Sequence, residues 1–453
     1  MSNIPVTARL AESCRSIRYD DLPADTVEVA RQCVLDWLGV TIAGASEPLA
    51  RMLRDEALVE GGNPQATLIG HGDRVSAKQA ALVNGGASHA LDYDDVHLAM
   101  NGHPSVPILP ALLALAEWRG ATGRDVLTAF VAGYEMECRI GHYVMPGHYS
   151  TGFHATGTLG TFGAAAACAH LLGLDAEQWG HTMGIAGAQA AGLKSMFGTM
   201  CKPLHAGKAA ANGLFAALMA ERGFTSNPEV LETAQGFAAT QTTTVDAERA
   251  LSGLGQRYAV RDTLFKYHAA CYGTHETIEG VLRLKQANGI APDDIAGIDL
   301  VVPQSHLAMC NIPEPRTGLE GKFSLRFTAA LAFVDGETDD AAFTDDRVNE
   351  PRLTAVRDRV TVTPQSGAWE RGTAVTLRTT DGRSFSEQVN LNIAASDVAL
   401  QRERLEAKFR GLATPVVGAA ATGRLLDDLR TFENQPSVAA IMRAASTVPA
   451  GVA

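Results

Sequence analysis

Between Ser88 and Ser105 the chain places three carboxylates (Asp92, Asp94, Asp95) and three imidazoles (His89, His97, His103) within fifteen residues. Imidazoles titrate near neutrality and move protons, and a neighbouring carboxylate can orient them, so this density points to acid–base chemistry. A helix over Leu91 to His97 would set Asp92 and Asp95 on one face and turn Asp94 elsewhere. On that geometry the three aspartates cannot converge on one ion, so no metal is expected and Asp92 is expected to orient a neighbouring His or Lys. His103-Pro104 ends the run, because a residue before proline is pushed out of helical geometry. The next apolar helix opens near Val106, which puts His103 at a helix start, a place suited to meeting an anion. The plain alternative, an N-cap with a solvated acidic turn, accounts for any one of these residues but not for the whole cluster.

Four further groupings carry chemistry. Gly147 to His154 is a glycine-bounded turn holding His148, Tyr149 and His154. Thr199 to Lys208 carries Lys202 and His205 after a charge-poor segment, so Lys202 is expected to be partly buried, which favours its use as base or proton donor. Lys266, His268, Cys271, Tyr272 and His275 gather at a change of pattern, and Lys322 to Phe327 forms the last group. Lysines and histidines at the edges of glycine-rich turns suit a substrate with several carboxylates, which needs cations to hold it and an acid and a base for the reacting carbon.

The elements that must position these groups read as two kinds. With 453 residues the chain has length for a large core and two domains. A net charge of −12 and the lack of a basic run argue against nucleic acid. No charged-then-apolar leader is seen, and seven scattered cysteines without a C-x-x-C pair indicate neither a disulfide frame nor a zinc site, so a cytoplasmic location is expected. Residues 5 to 222 read as successive helices, among them 26–42, 77–90, 106–118 and 126–144. The Gly/Ala-rich segments 155–174 and 180–200 read as central helices that approach one another closely. A membrane span over the first is rejected, since small residues dominate and His170 interrupts it. Beyond Lys266 come strands at 295–302, 359–363, 373–379 and 384–390, with Asp381-Gly382 as a hairpin turn and helices at 274–287 and 324–334. From Asp397 the pattern returns to amphipathic helix. The expected fold is mainly α with an α+β insertion: an all-α domain of residues 1–264 and 403–453, and an α+β domain of residues 265–402.

Asp92-Tyr93-Asp94-Asp95 with His103-Pro104-Ser105, then Gly152-Phe153-His154, then Lys202-Pro203-Leu204-His205-Ala206-Gly207, resembles the MmgE/PrpD family. Lys266, Cys271 and His275, then Lys322-Phe323-Ser324, continue the likeness in the same order over nearly the whole chain. The resemblance implies a helical domain with a smaller α+β lid, a polar cleft between them, a homodimer, and neither metal nor other cofactor. It implies Asp92, His103, His154, Lys202 and Lys266 as functional residues. The family's 2-methylcitrate dehydratase, cis-aconitate decarboxylase and iminodisuccinate epimerase share removal of a proton beside a carboxylate. Val96 and Phe327 stand where the decarboxylase carries a threonine and a tyrosine, which argues against decarboxylation. Tyr149 and Lys202 match the acid–base pair proposed for the epimerase.

The expected function is therefore α-proton chemistry on a di- or tricarboxylate, first as a methylcitrate-type dehydratase and second as an iminodisuccinate-type epimerase. Asp92, His103, Tyr149, His154 and Lys202 are the expected catalytic residues. Lys266, His205, His275 and Lys322 are expected to hold the substrate. An acidic motif on an all-α fold also resembles the magnesium-binding helices of terpene synthases, but no second Asn-Ser-Glu-type motif accompanies it. A non-catalytic scaffold would leave the gathered lysines and histidines without a purpose.

Overall fold

The computed structural model describes residues 4–365 and 372–446. The chain forms two units, Met1–Phe265 with Ala395–Ala453, and Lys266–Ala394. Unit one is helical: α1 (Val6–Arg15), α2 (Ala24–Gly44), α3 (Pro48–Glu60), α4 (Ala77–Ala90), α5 (Ser105–Arg119), α6 (Gly123–Val144), α7 (Gly147–Thr151), α8 (Ala155–Leu171), α9 (Ala176–Gly187) and α10 (Cys201–Glu221). Between α3 and α4 lies a two-stranded antiparallel pair, β1 (Ala66–Thr67) and β2 (Arg74–Val75). The helix Val398–Val417 returns to unit one and packs along α2. Several starts are fixed locally, since Ser76 with Gln79, Thr122 with Asp125 and Asp175 with Gln178 form reciprocal caps on α4, α6 and α9.

The small residues explain how α4, α8 and α10 come together. A Cβ at Gly85 would lie 2.7 Å from Gly207 Cα, and one at Gly213 would lie 2.5 Å from Ala164 Cβ. Glycine in a helix costs about 1 kcal/mol relative to alanine, but here any side chain would force the helices apart. Their close packing fixes the three helix ends that carry the site.

One expected helix is not formed and another is cut short. Leu91 to His97 is a loop: α4 ends at Ala90 and Asp92 adopts φ +52°. Its backbone groups find other partners, Val96 exchanging hydrogen bonds with Leu264 at 2.8 and 2.9 Å. In the segment 180–200 the α-helix ends at Gly187 and only a 3-10 turn, Lys194–Met196, follows, because Gly192 (φ +150°) and Gly198 (φ +81°) take conformations that no helix accommodates.

Unit two carries a four-stranded sheet of order β4-β3-β5-β6, from β3 (Ile295–Val302), β4 (Val360–Pro364), β5 (Thr373–Thr379) and β6 (Ser384–Val389). β3 pairs parallel with β4 and antiparallel with β5, and β5 pairs antiparallel with β6. Asp381-Gly382 makes the β5–β6 turn, with Gly382 at φ +89°. The helix Tyr272–Asn288 lies on the sheet through Gly280, where a Cβ would meet Val375 Cγ2 at 2.6 Å. The protein is thus mainly α with a small α+β part. Among the described residues no helix is long and apolar enough to cross a membrane, and the Gly/Ala-rich α8 is a buried core helix.

Candidate active site

Four helix ends supply the cluster in unit one. His89 lies in the last turn of α4, His103 stands two residues before α5, His154 is the N-cap of α8, and Lys202 and His205 lie in the first turns of α10. The rings of His103 and His154 stand 4.6 and 5.9 Å from that of His89. The N-termini of α5, α8 and α10 therefore converge on one place, where their dipoles favour negative charge.

Two ion contacts organise the centre. Lys202 Nζ donates to Asp92 Oδ1 at 2.6 Å, both side chains being nearly buried. Asp94 joins two imidazoles, with Oδ1 2.9 Å from His89 Nδ1 and Oδ2 2.9 Å from His103 Nδ1. His103 Nε2 then points back towards Asp92, 3.9 Å from Oδ1. His154 Nδ1 lies 2.9 Å from His205 Nδ1, and the Phe197 ring closes one side, 5.0 Å from the His154 ring. Asp95 faces away from this centre and accepts from Ser105 N (3.2 Å) and Oγ (2.5 Å), tying the loop to the start of α5.

The protonation pattern follows from burial and pairing. Burial drives His89 down to about 4 against the opposing pull of the Asp94 carboxylate, so His89 is neutral. Burial also pushes the Asp94 carboxyl up, but its interactions with the His89 and His103 imidazoles outweigh it and hold Asp94 well below the usual carboxylate range. His154 lies well below its ordinary value through burial, with His89 and Lys202 adding to the effect. Burial pushes Asp95 up to about 7, against the Ser105 hydrogen bonds. Near neutrality the centre thus holds an ionised Asp94 and two neutral buried imidazoles. His89 Nε2 is buried and has no hydrogen-bond partner among the described residues.

The loop corrects the geometric reason for expecting no metal. His89, Asp92, Asp94 and His103 each bring one possible ligand atom within 4.8 Å of the others. These are the residues that could hold a divalent ion. In the structure the Lys202 ammonium sits on Asp92, and both Asp94 oxygens face imidazole nitrogens.

Of the residues expected from the sequence, Asp92, His103, His154, Lys202 and His205 come together here. Tyr149 lies on α7, where Lys194 Nζ sits 3.7 Å above its ring and donates to its carbonyl oxygen at 3.2 Å. The remaining three belong to unit two. Lys266 is buried, His275 Nε2 lies 3.2 Å from Ala270 O between the rings of His268 and Tyr272, and Lys322 Nζ donates to Asp340 Oδ1 at 2.6 Å. His89 and Asp94 are the central residues that the expected site omitted, although both lie in the opening cluster.

With this geometry in view, similarity to known proteins is informative. Residues 8–250 match the MmgE/PrpD N-terminal domain and residues 268–429 the MmgE/PrpD C-terminal domain. The chain is 26% identical over 448 residues to the cis-aconitate decarboxylase of Homo sapiens, covering 95% of this chain and 92% of that protein. It is likewise 26% identical over 473 residues to the cis-aconitate decarboxylase of Aspergillus terreus (strain NIH 2624 / FGSC A1156), covering 98% and 94%. With both of the family's domains matched over most of its length, this chain is a member of the MmgE/PrpD family.

Proposed function

We propose that this protein is an enzyme that removes a proton beside a carboxylate of a di- or tricarboxylate and then expels hydroxide, as a methylcitrate-type dehydratase does. The observation that carries the reading is the Asp94–His103 contact beside the Asp92–Lys202 pair, where three helix N-termini meet. With Asp94 Oδ2 2.9 Å from its Nδ1, His103 presents Nε2 as the base, and the ionised carboxylate stabilises the imidazolium that forms. The Lys202 ammonium and the helix ends stabilise the negative charge that develops on the substrate carboxylate. The C–H bond breaks with its proton going to Nε2. The resulting electron pair forms the C=C bond as the C–O bond breaks, and the leaving hydroxide takes the proton back as water. Because one imidazole takes the proton and returns it to the leaving hydroxide, the hydrogen and the hydroxyl leave from the same face.

Decarboxylation is the second reading, favoured by likeness to cis-aconitate decarboxylases along nearly the full length of both chains. Val96 and the fully buried Phe327 supply no hydroxyl at the two positions where the decarboxylase's threonine and tyrosine are expected, which is why dehydration stands first. The test is proton NMR in deuterated water over citrate, methylcitrate, cis-aconitate and amino- or iminosuccinate derivatives. Loss of water from a hydroxy acid with deuterium exchange at its α-carbon is the expected result. Carbon dioxide release from cis-aconitate without hydration or dehydration would replace the first reading by the second. Absence of both α-exchange and carbon dioxide release with every compound would refute both.

A further inference from the structure

The Asp92–Asp94 turn needs something to hold it. Asp92 adopts a left-handed backbone conformation, φ +52°, uncommon for a residue with a side chain. That conformation aims Asp92 at Lys202 while its second neighbour, Asp94, reaches His89 and His103. Between them, the carbonyl oxygen of Tyr93 accepts a 2.6 Å hydrogen bond from Lys408 Nζ. Lys408 comes from the helix Val398–Val417 and also donates to Asp36 Oδ1 of α2 at 2.6 Å, while its ammonium lies 3.9 Å above the Tyr93 ring. The Lys408 and Asp36 side chains are 4% and 2% exposed. A buried ion pair is seldom better for stability than apolar residues of the same volume, so its presence points to a geometric task. At the next residue but one, Asp95 is fastened separately by Ser105.

We propose that Lys408, itself held by Asp36, is a positioning residue that grips both the carbonyl and the ring of Tyr93 and so sets the Asp92–Asp94 turn. Asp92 is thereby kept on Lys202 and Asp94 on His103. The returning C-terminal helix is part of the site's machinery for this reason, although it contributes no group to the reacting centre. The consequence for turnover rests on the α-proton reading above; the consequence for the loop does not.

The experiment compares the full-length wild type with Lys408→Met and with Lys408→Met/Asp36→Asn. The single variant strands a buried carboxylate and will lose stability. The double variant removes both charges and should melt within about 3 °C of wild type. In the double variant, amides of residues 91–95 should exchange with deuterated water about tenfold faster, with other amides of α4 and α5 unchanged. On whichever carboxylate the wild type turns over, kcat should fall about 10- to 100-fold with KM changed far less, the size expected when reacting groups are misplaced. Wild-type exchange at 91–95 in the double variant would overturn the proposal. Faster exchange with kcat within twofold of wild type would overturn it equally, since the loop's order would then not reach the chemistry. If the wild type turns over none of the tested carboxylates, the functional reading falls and the exchange rates alone decide the positioning role.

Discussion

Lys202 and Lys322 each sit 2.6 Å from a carboxylate and each is nearly buried, yet the two pairs live in different surroundings. The partner of Lys202, Asp92, is 9% exposed, whereas the partner of Lys322, Asp340, is 38% exposed. In unit one the neighbouring histidines pair with a carboxylate or with each other, as His89 and His103 do on Asp94 and His154 does with His205. In unit two His268 pairs with the Thr338 hydroxyl at 2.6 Å through Nδ1 while its Nε2 lies 3.4 Å from Glu279 Oε1, and His275 pairs with a backbone oxygen. Residue type alone does not separate these regions. What sets unit one apart is that one buried carboxylate, Asp94, bridges two imidazoles beside the Asp92–Lys202 pair, so that their interactions are strong and their protonation is coupled.

The largest effect expected from this contrast is at Lys202. Lys202→Ala should lower kcat by at least about 100-fold. Because Asp92 would be left buried without its counter-ion, folding stability should also fall, by about 3–5 kcal/mol. Lys322→Ala leaves behind a carboxylate that water reaches, and its stability cost should stay below about 1 kcal/mol. Turnover with matched urea melts measures both. Equal stability losses in the two variants would erase the distinction between the regions.

Next in size is Asp94→Asn, which preserves shape but removes the charge that supports an imidazolium and fixes the His103 tautomer. A fall in kcat of about 100-fold is expected, with a lower melting temperature as well, because the ionised Asp94 also stabilises the fold. A variant with normal kcat would show that His103 does not act as base.

Much of this was legible in the sequence, and the failures have a physical pattern. Helices such as Ala77–Ala90 and strands such as Ile295–Val302 follow their apolar periodicity and caps, which are local properties. The crowding of Asp and His before Pro104 singled out this segment, but the helix expected there is a loop. Leu91 to His97 has helical spacing, and tertiary contacts with Leu264, Ser105 and Lys408 override it. Lys408 itself could not be found by spacing, being 315 residues from Tyr93 in an ordinary amphipathic helix. The Gly/Ala segments signalled close approach because only small residues permit it. That 188–200 leaves the helix depends on glycine conformations that composition does not reveal.

A smaller and more selective effect is expected from pH. His89 is pushed by burial to about 4, below its ordinary 6.5. Between those values the unfolded chain takes up a proton that folded His89 refuses, so this group's contribution to stability is full above 6.5 and is lost as pH falls towards 4. The size is on the order of 3 kcal/mol for a fully buried group. Asp94, held low, acts in the same direction further down: its stabilisation is present above the ordinary carboxylate range and disappears as acid protonates it. His89→Gln can keep a donor for Asp94 while removing the titration. It should flatten the fall in melting temperature between pH 6.5 and 4. An unchanged slope would place that acid sensitivity on other buried histidines.

The smallest effect, and the one that best divides the remaining chemistry, is at Tyr149. An epimerase needs two groups flanking one carbon, because the proton returns to the face opposite the one it left. Lys202 and the Tyr149 phenol are the pair that would serve. Tyr149→Phe is a clean test, because the ring stays under the Lys194 ammonium and the carbonyl that Lys194 also grips is untouched. Only the hydroxyl is removed. If dehydration through His103 is the reaction, kcat should stay within about twofold of wild type, as befits a group outside the proton path. If epimerisation is the reaction, the variant should lose racemisation while α-proton exchange persists from one enantiomer, the one whose proton faces Lys202. Equal loss of exchange from both enantiomers would make Tyr149 a packing residue of its turn and remove the two-base scheme.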